Sequence, residues 1–227
     1  PVIRESKVKL MHPEFKLLLY TPIDSNPDPS WFKHAKDFDQ IITYTKYGFD
    51  EIQKIKRLKN LEVIPHGFDT KNFFEQSGQK EECRKRVGIP QGKFVIGTVN
   101  KNQPRKDMAN ALIAFAEFKD TLTKGHNVCL YLHTYYDDPT GVNLRTVGDK
   151  LGLVWEKDYT MPMHKKYTDG AYTLSDMNDV YNSFDVFLTT STAEGGGLTF
   201  TEAICCKLPI IFGYHTSQKE IAAPLKS

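Results

Sequence analysis

Phe184-Asp-Val-Phe-Leu-Thr-Thr-Ser-Thr-Ala-Glu194-Gly-Gly-Gly-Leu-Thr-Phe-Thr-Glu202-Ala-Ile-Cys-Cys-Lys-Leu-Pro-Ile-Ile-Phe212 decides the fold. It reads as a buried strand, a glycine loop, a helix and a second buried strand. A glycine loop that leaves a strand and opens a helix presents bare backbone N–H groups, and the helix dipole there favours negative charge. The loop is neither G-x-G-x-x-G nor G-x-x-x-x-G-K-[ST], so the dinucleotide and P-loop fingerprints are both missing. Glu194 and Glu202 flank the glycines. A carboxylate repels phosphate but accepts well from vicinal hydroxyls, so the pair points to a ligand that also carries sugar or ribose. Three glycines can also be only a sharp turn, and either acid alone can be a partner for a helix N-terminus.

Working outward, short apolar runs alternate with helical patterns. Lys16–Tyr20, Gln40–Thr45 and Leu61–Pro65 read as strands. Between them lie a helix over Trp31–Phe38, capped by Ser30, and another over Tyr47–Leu58. Gln76–Arg86 is polar with no strand signal, which places a domain junction near Asp69–Ser77. Strands at Lys93–Val99 and Val128–His133 follow. Helices are predicted over Met108–Thr123, Val142–Leu151 and Leu174–Phe184, the last capped by Ser175. Alternation of this kind implies parallel sheets built from βαβ units. The predicted organisation is residues 1–72 as a partial N-terminal Rossmann-like domain and 73–227 as a largely complete C-terminal one.

A second polar element, Gly97-Thr-Val-Asn100-Lys-Asn-Gln-Pro-Arg105-Lys106-Asp107, leaves a strand and enters a helix. Cations suit helix C-termini, so Arg105 and Lys106 oppose the dipole at a helix start. That local conflict is a mark of function. A guanidinium beside an ammonium can clamp a diphosphate without a metal.

Composition narrows the classes. The 227 residues are 40% hydrophobic and 26% charged, with a net charge of only +2, so no bulk field draws the chain to nucleic acid. No apolar run approaches the roughly 20 residues that span a bilayer. The four cysteines have neither C-x-x-C nor zinc spacing, and read as small buried hydrophobes in a reducing compartment. The start lacks an initiator Met and no signal peptide is visible, and the expected location is cytoplasmic.

Together these residues resemble the retaining GT-B glycosyltransferases of glycosyltransferase family 4. The E-x7-E hallmark of that family is similar to Glu194 through Glu202, and Val63-Ile-Pro-His-Gly-Phe-Asp69 with Phe73 resembles its domain-joining segment. The resemblance implies an α/β fold of GT-B type and transfer of a hexose, with retention, from a nucleotide-diphosphate sugar such as a UDP- or GDP-hexose. The acceptor would be a hydroxyl of a glycan, lipid or protein. No nucleic-acid partner, metal or other cofactor is implied, and no membrane-surface association is evident. Arg105 and Lys106 would contact the diphosphate and Glu194 would face the sugar. Phosphate would be held around Gly195, Gly196, Gly197, Leu198 and Thr199, with Gly97 and Asn100 lining the donor site. Glu202 would bind the ribose, and Tyr172, Thr173 and Leu174 would lie near the base. His66 and Gly67 would serve the interdomain crossing. The sequence departs from the pattern at Lys207, where Gly is usual, and in its length, which suggests a fragment. Donor binding without turnover and nucleotide-sugar epimerisation are the alternative readings.

Overall fold

The computed structural model describes residues 11–123, 127–162, 170 and 172–223. These fall into two compact units. One holds the chain up to Gly67 together with Ala193–Gly197 and the residues from His215 on; the other holds Phe68–Thr192 and Leu198–Tyr214.

The first unit contains a three-stranded parallel sheet in the order β1 (Leu18–Thr21), β2 (Gln40–Thr43), β3 (Leu61–Val63). Helix α1 (Lys46–Ile55) begins at Thr45, whose Oγ1 accepts from the Gly48 N–H at 3.1 Å. Its buried Ile52 joins Ile23, Phe32, Ala35, Ile41 and Leu61 in one apolar core. The helix expected over Trp31–Phe38 is instead two short 3₁₀ turns, Pro29–Phe32 and Ala35–Asp37. The inward side chains Phe32, Ala35 and Phe38 recur every three residues, the period of the 3₁₀ turn and not of the α-helix. Asp28, not Ser30, provides the cap: its carboxylate accepts from the Ser30 N–H at 2.7 Å.

The second unit contains a five-stranded parallel sheet ordered β6-β5-β4-β7-β8, with β4 at Phe94–Val99, β5 at Val128–His133, β6 at Tyr159–Thr160, β7 at Val186–Thr189 and β8 at Ile210–Phe212. Counted from β4 this is the 3-2-1-4-5 order of a doubly wound nucleotide-binding sheet. Around it lie α2 (Lys80–Val87), α3 (Met108–Thr121), α4 (Leu144–Lys150), α5 (Leu174–Asn182) and α6 (Leu198–Cys205). Met108, Leu112 and Phe115 of α3 pack with Leu130, Leu132 and Tyr159 in its core.

Two features had no expectation. Helix α2 lies in the polar junction, where only Cys83, Arg84 and Val87 are buried. Arg84 is 2% exposed and donates to Ser183 O at 2.8 Å, Lys93 O at 3.0 Å and Asp185 Oδ2 at 2.7 Å. Helix α7 (Thr216–Ala222) belongs to the first unit, where the Glu220 carboxylate accepts from the Lys46 and Tyr47 N–H groups at 2.8 and 3.1 Å and so caps α1. The cap of α5 is Thr173, not Ser175: Thr173 Oγ1 accepts from Asp176 N, and the Asp176 carboxylate accepts from Thr173 N. All four cysteines are free; burial pushes Cys83 and Cys129 up to about 11 and Cys206 to about 12.

Candidate donor site

In a doubly wound sheet the strand order reverses between the first and fourth strands, and ligands bind beyond their carboxyl ends. Here those strands are β4 and β7. The loop after β4 carries Asn100, Arg105 and Lys106; the chain after β7 runs Thr190, Ser191, Thr192. Pro104–Lys106 forms a 3₁₀ turn, and Asp107, at φ 45°, then caps α3 through the Asn110 N–H. The two loops are stitched together. Thr192 donates to Arg105 O from its N–H at 2.9 Å and from its hydroxyl at 3.1 Å, and Thr190 Oγ1 donates to Lys106 O at 3.0 Å. The cationic turn is therefore held against the strand that leads into the glycines.

Asn100 is 5% exposed, and neither its carbonyl oxygen nor its amide nitrogen has a hydrogen-bond partner among the described residues. The Ser191 hydroxyl at the end of β7 is in the same condition. Leaving a buried polar group unmatched costs about 1–3 kcal/mol. Natural proteins keep such groups where a ligand or water completes them. Next door in sequence, the Asn102 amide nitrogen donates to Val142 O at 2.7 Å and staples the loop.

Glu202 lies on α6, and its Oε2 accepts from the Tyr181 hydroxyl at 2.5 Å. Burial holds its carboxyl above the usual range, against the lowering effect of that bond. Tyr181 carried no signal in the sequence as a site residue. Helix α6 ends in a Schellman pair: Lys207 N–H donates to Ile204 O at 2.8 Å, and Leu208 N–H to Ala203 O at 3.1 Å. Lys207 takes the left-handed position at φ 55°.

Tyr172 is half-buried, with its ring edge-on to His133 at 4.7 Å, and burial pushes its hydroxyl up. It lines a cavity of about 630 Å³ beside Tyr131, Thr160, Met161 and Arg145, whose guanidinium lies 4.1 Å from the Trp155 ring. Thr173 and Leu174 are the cap and first residue of α5, and both are exposed. Gly97 sits within β4, where a Cβ would meet the Phe184 ring at 2.2 Å, so packing alone accounts for that glycine.

Glu194 and the glycines belong to the first unit. Glu194 is 5% exposed; its N–H donates to Thr216 Oγ1 at 3.2 Å, and its carbonyl accepts from the Ser217 hydroxyl at 2.5 Å. A Cβ on Gly195 would lie 2.7 Å from Pro22, and one on Gly196 would lie 2.6 Å from the His66 ring. Gly197 has φ 56°, the left-handed region that favours glycine. Leu198 and Thr199 open α6.

The family described as Glycosyl transferases group 1 matches residues 168–227, the stretch that contains Glu194, the glycines and Glu202. The likeness to that family is thus confined to residues 168–227. Two glycolipid synthases are similar to it over most of its length. Alpha-monoglucosyldiacylglycerol synthase of Acholeplasma laidlawii is 27% identical over 80% of this chain and 43% of its own. The synthase of the same name from Streptococcus pneumoniae is 25% identical over 77% of this chain and 37% of its own. This chain thus spans about two-fifths of the length of the curated relatives it matches. Among solved structures, HepE from Anabaena in complex with UDP and glucose superposes with a TM-score of 0.69 at 16% identity, covering 95% of this chain and 57% of that one. Sucrose-phosphate synthase from Thermosynechococcus elongatus gives 0.70 at 14% identity, covering 97% and 56%. At such identities the likeness shows the fold, which is α/β of the GT-B type. Among the described residues, no helix is long and apolar enough to cross a membrane.

Proposed function

We propose that this chain binds a nucleotide-diphosphate hexose and takes part in its transfer, with retention, to a hydroxyl acceptor. The observation that carries the reading is the arrangement at the carboxyl ends of β4 and β7: a buried, unmatched Asn100 amide beside a cationic turn that Thr190 and Thr192 hold in place. The donor diphosphate takes its charge from Arg105 and Lys106 and its N–H contacts from the start of α6. Glu202, with Oε2 already held by Tyr181, offers Oε1 to the ribose, and Glu194 faces the hexose. As the bond to the sugar breaks, negative charge grows on the departing diphosphate. Fixed cations and amide dipoles stabilise that charge, which is where a donor-side site accelerates the reaction. The leaving phosphate takes the acceptor proton, and no divalent metal is required.

The two similar synthases make diacylglycerol the first acceptor to test. Isothermal titration with UDP, GDP and their hexose derivatives, beside a transfer and donor-hydrolysis assay, tests the reading. Arg105→Ala and Lys106→Ala are expected to lower both donor affinity and turnover, turnover by orders of magnitude. Unchanged values in both variants reject it. A second reading is donor binding without turnover. Nucleotide affinity with no transfer and no hydrolysis favours it.

A further inference from the structure

Strands β4 and β5 run in register from Phe94 beside Val128 to Val99 beside His133, and the residues that follow are Asn100 and Thr134. Side chains alternate along a strand, and paired neighbours in a parallel sheet share a face. Thr98, Asn100 and Thr134 therefore stand on the same face as Ile96, Leu130 and Leu132, which pack with Met108 of α3. Deeper in the sheet this face is apolar; toward the strand ends it turns polar. The polar side chains are nonetheless buried: Thr98 is 0%, Thr134 1% and Asn100 5% exposed. Among the described residues, neither hydroxyl and neither end of the Asn100 amide has a hydrogen-bond partner. The Thr134 N–H is matched, donating to Leu132 O at 2.9 Å, so the shortfall at this residue lies in its side chain. Each such group costs about 1–3 kcal/mol, and a valine of the same shape as Thr134 would carry no such cost.

We infer that Thr134 is a further binding residue for the donor, and that its hydroxyl and the Asn100 amide together donate to a phosphoryl oxygen of the diphosphate. This deepens the glycosyl-transfer reading and rests on it. The contact needs the second unit alone, which holds β4, β5 and the Arg105–Lys106 turn. Two threonine hydroxyls and one amide carry hydrogens to donate and no formal charge. The Asn100 oxygen can accept from Thr98, which leaves the amide N–H groups and the Thr134 hydroxyl as surplus donors. Surplus donors suit an anionic oxygen, which accepts from several at once and brings no hydrogen of its own. A sugar hydroxyl would add a donor where donors are already in excess. Thr134 gave no sign of this in the sequence, where it only ends the apolar run of β5.

Calorimetric titration of the full chain with UDP and GDP, beside urea unfolding of the free protein, tests the inference. Thr134→Val is expected to unfold at the same or a higher urea concentration than wild type, because it removes an unmatched hydroxyl. It should lose roughly 2- to 12-fold in affinity for the nucleoside diphosphate, the size of one net hydrogen bond. Inorganic pyrophosphate, titrated as a competitor of the bound nucleotide, should weaken by the same factor. Thr134→Ser and Thr134→Ala form a second pair that differs only by the hydroxyl, and Ser should bind the tighter by a similar factor. Equal affinity of wild type and Thr134→Val, or of the Ser and Ala variants, overturns the Thr134 role and leaves the wider reading standing. Pyrophosphate that fails to compete, or competes equally well in wild type and Thr134→Val, overturns the phosphoryl contact. Failure of the wild-type protein to bind either nucleotide removes the transfer reading and this one with it.

Discussion

Tyr181 and Glu202 share a 2.5 Å hydrogen bond, the phenol on α5 donating to the carboxylate on α6. Burial lifts the hydroxyl of Tyr181 well above its ordinary range, which favours the protonated, donating form. It orients one oxygen of Glu202; in the proposed reading the other accepts from a ribose hydroxyl.

The raised carboxyl of Glu202 has opposite consequences for binding and stability. As pH falls through its folded-state value, Glu202 becomes protonated and loses acceptor capacity, so nucleotide affinity should drop from a midpoint above the ordinary carboxylate range. A group with a raised folded-state pKa favours the fold below its unfolded value and loses that contribution as pH rises. Glu202→Gln should therefore bind nucleotide more weakly, flatten the acid limb of the affinity profile, and unfold at higher denaturant at pH 7. An acid limb that persists in Glu202→Gln assigns the titration elsewhere.

Asn100 should show a trade between stability and function. Replacing its buried, unmatched amide with an apolar group of similar size removes a desolvation cost of about 1–3 kcal/mol. Asn100→Leu is expected to raise the urea midpoint of the free protein and to weaken nucleotide binding. A destabilised variant with full affinity would place Asn100 outside the ligand site.

At the end of α6, Lys207 holds a left-handed conformation that glycine adopts without strain. The left-handed penalty for a residue with a Cβ is about 1–2 kcal/mol. Its exposed ion pair with Glu75, at 2.7 Å, returns no more than about 1 kcal/mol. Lys207→Gly should raise stability by up to about 1 kcal/mol, read from equilibrium denaturation. A loss of stability would mean that the ion pair outweighs the backbone strain.

Arg84 is the opposite case, a buried cation with every arm occupied. Arg84→Ala removes a donor from the Ser183 and Lys93 carbonyls and leaves the partly buried Asp185 carboxylate with Lys80 and the Val95 N–H. Removing one partner of a buried pair costs about 3–5 kcal/mol. The Asp185→Asn variant should be milder, because the amide oxygen still accepts. Equal midpoints for wild type and Arg84→Ala would show that α2 docks without this anchor.

The strands and most helices were legible because their signals are local: runs of Val, Ile, Leu and Phe bounded by turn residues, and apolar stripes at helical spacing. Lys93–Val99 and Val128–His133 reappear as β4 and β5, and Met108 does start α3. The polar motif Asn100–Lys106 and the Glu194–Glu202 segment stood out for a different reason, since one sets two cations at a helix start and the other sets three glycines between two acids. Helices α2 and α7 were illegible. One is anchored by its buried arginine and the other by its own Glu220 carboxylate, which accepts from N–H groups about 170 positions away in the chain, and neither displays an apolar stripe.

By itself the sequence determined the alternation of strand and helix, hence parallel sheets, and singled out the residues at the strand ends that the proposed reading uses. Only the tertiary structure decided which groups those residues meet. It alone separated Gly97, whose missing side chain makes room for Phe184, from Gly196, which opens onto the His66 ring. It alone matched Tyr181 to Glu202 and left Asn100 unmatched. The physical reason is range. Strand and helix preferences arise within a few residues, whereas the partner of a buried polar atom and the space beside a glycine depend on groups that only folding brings together.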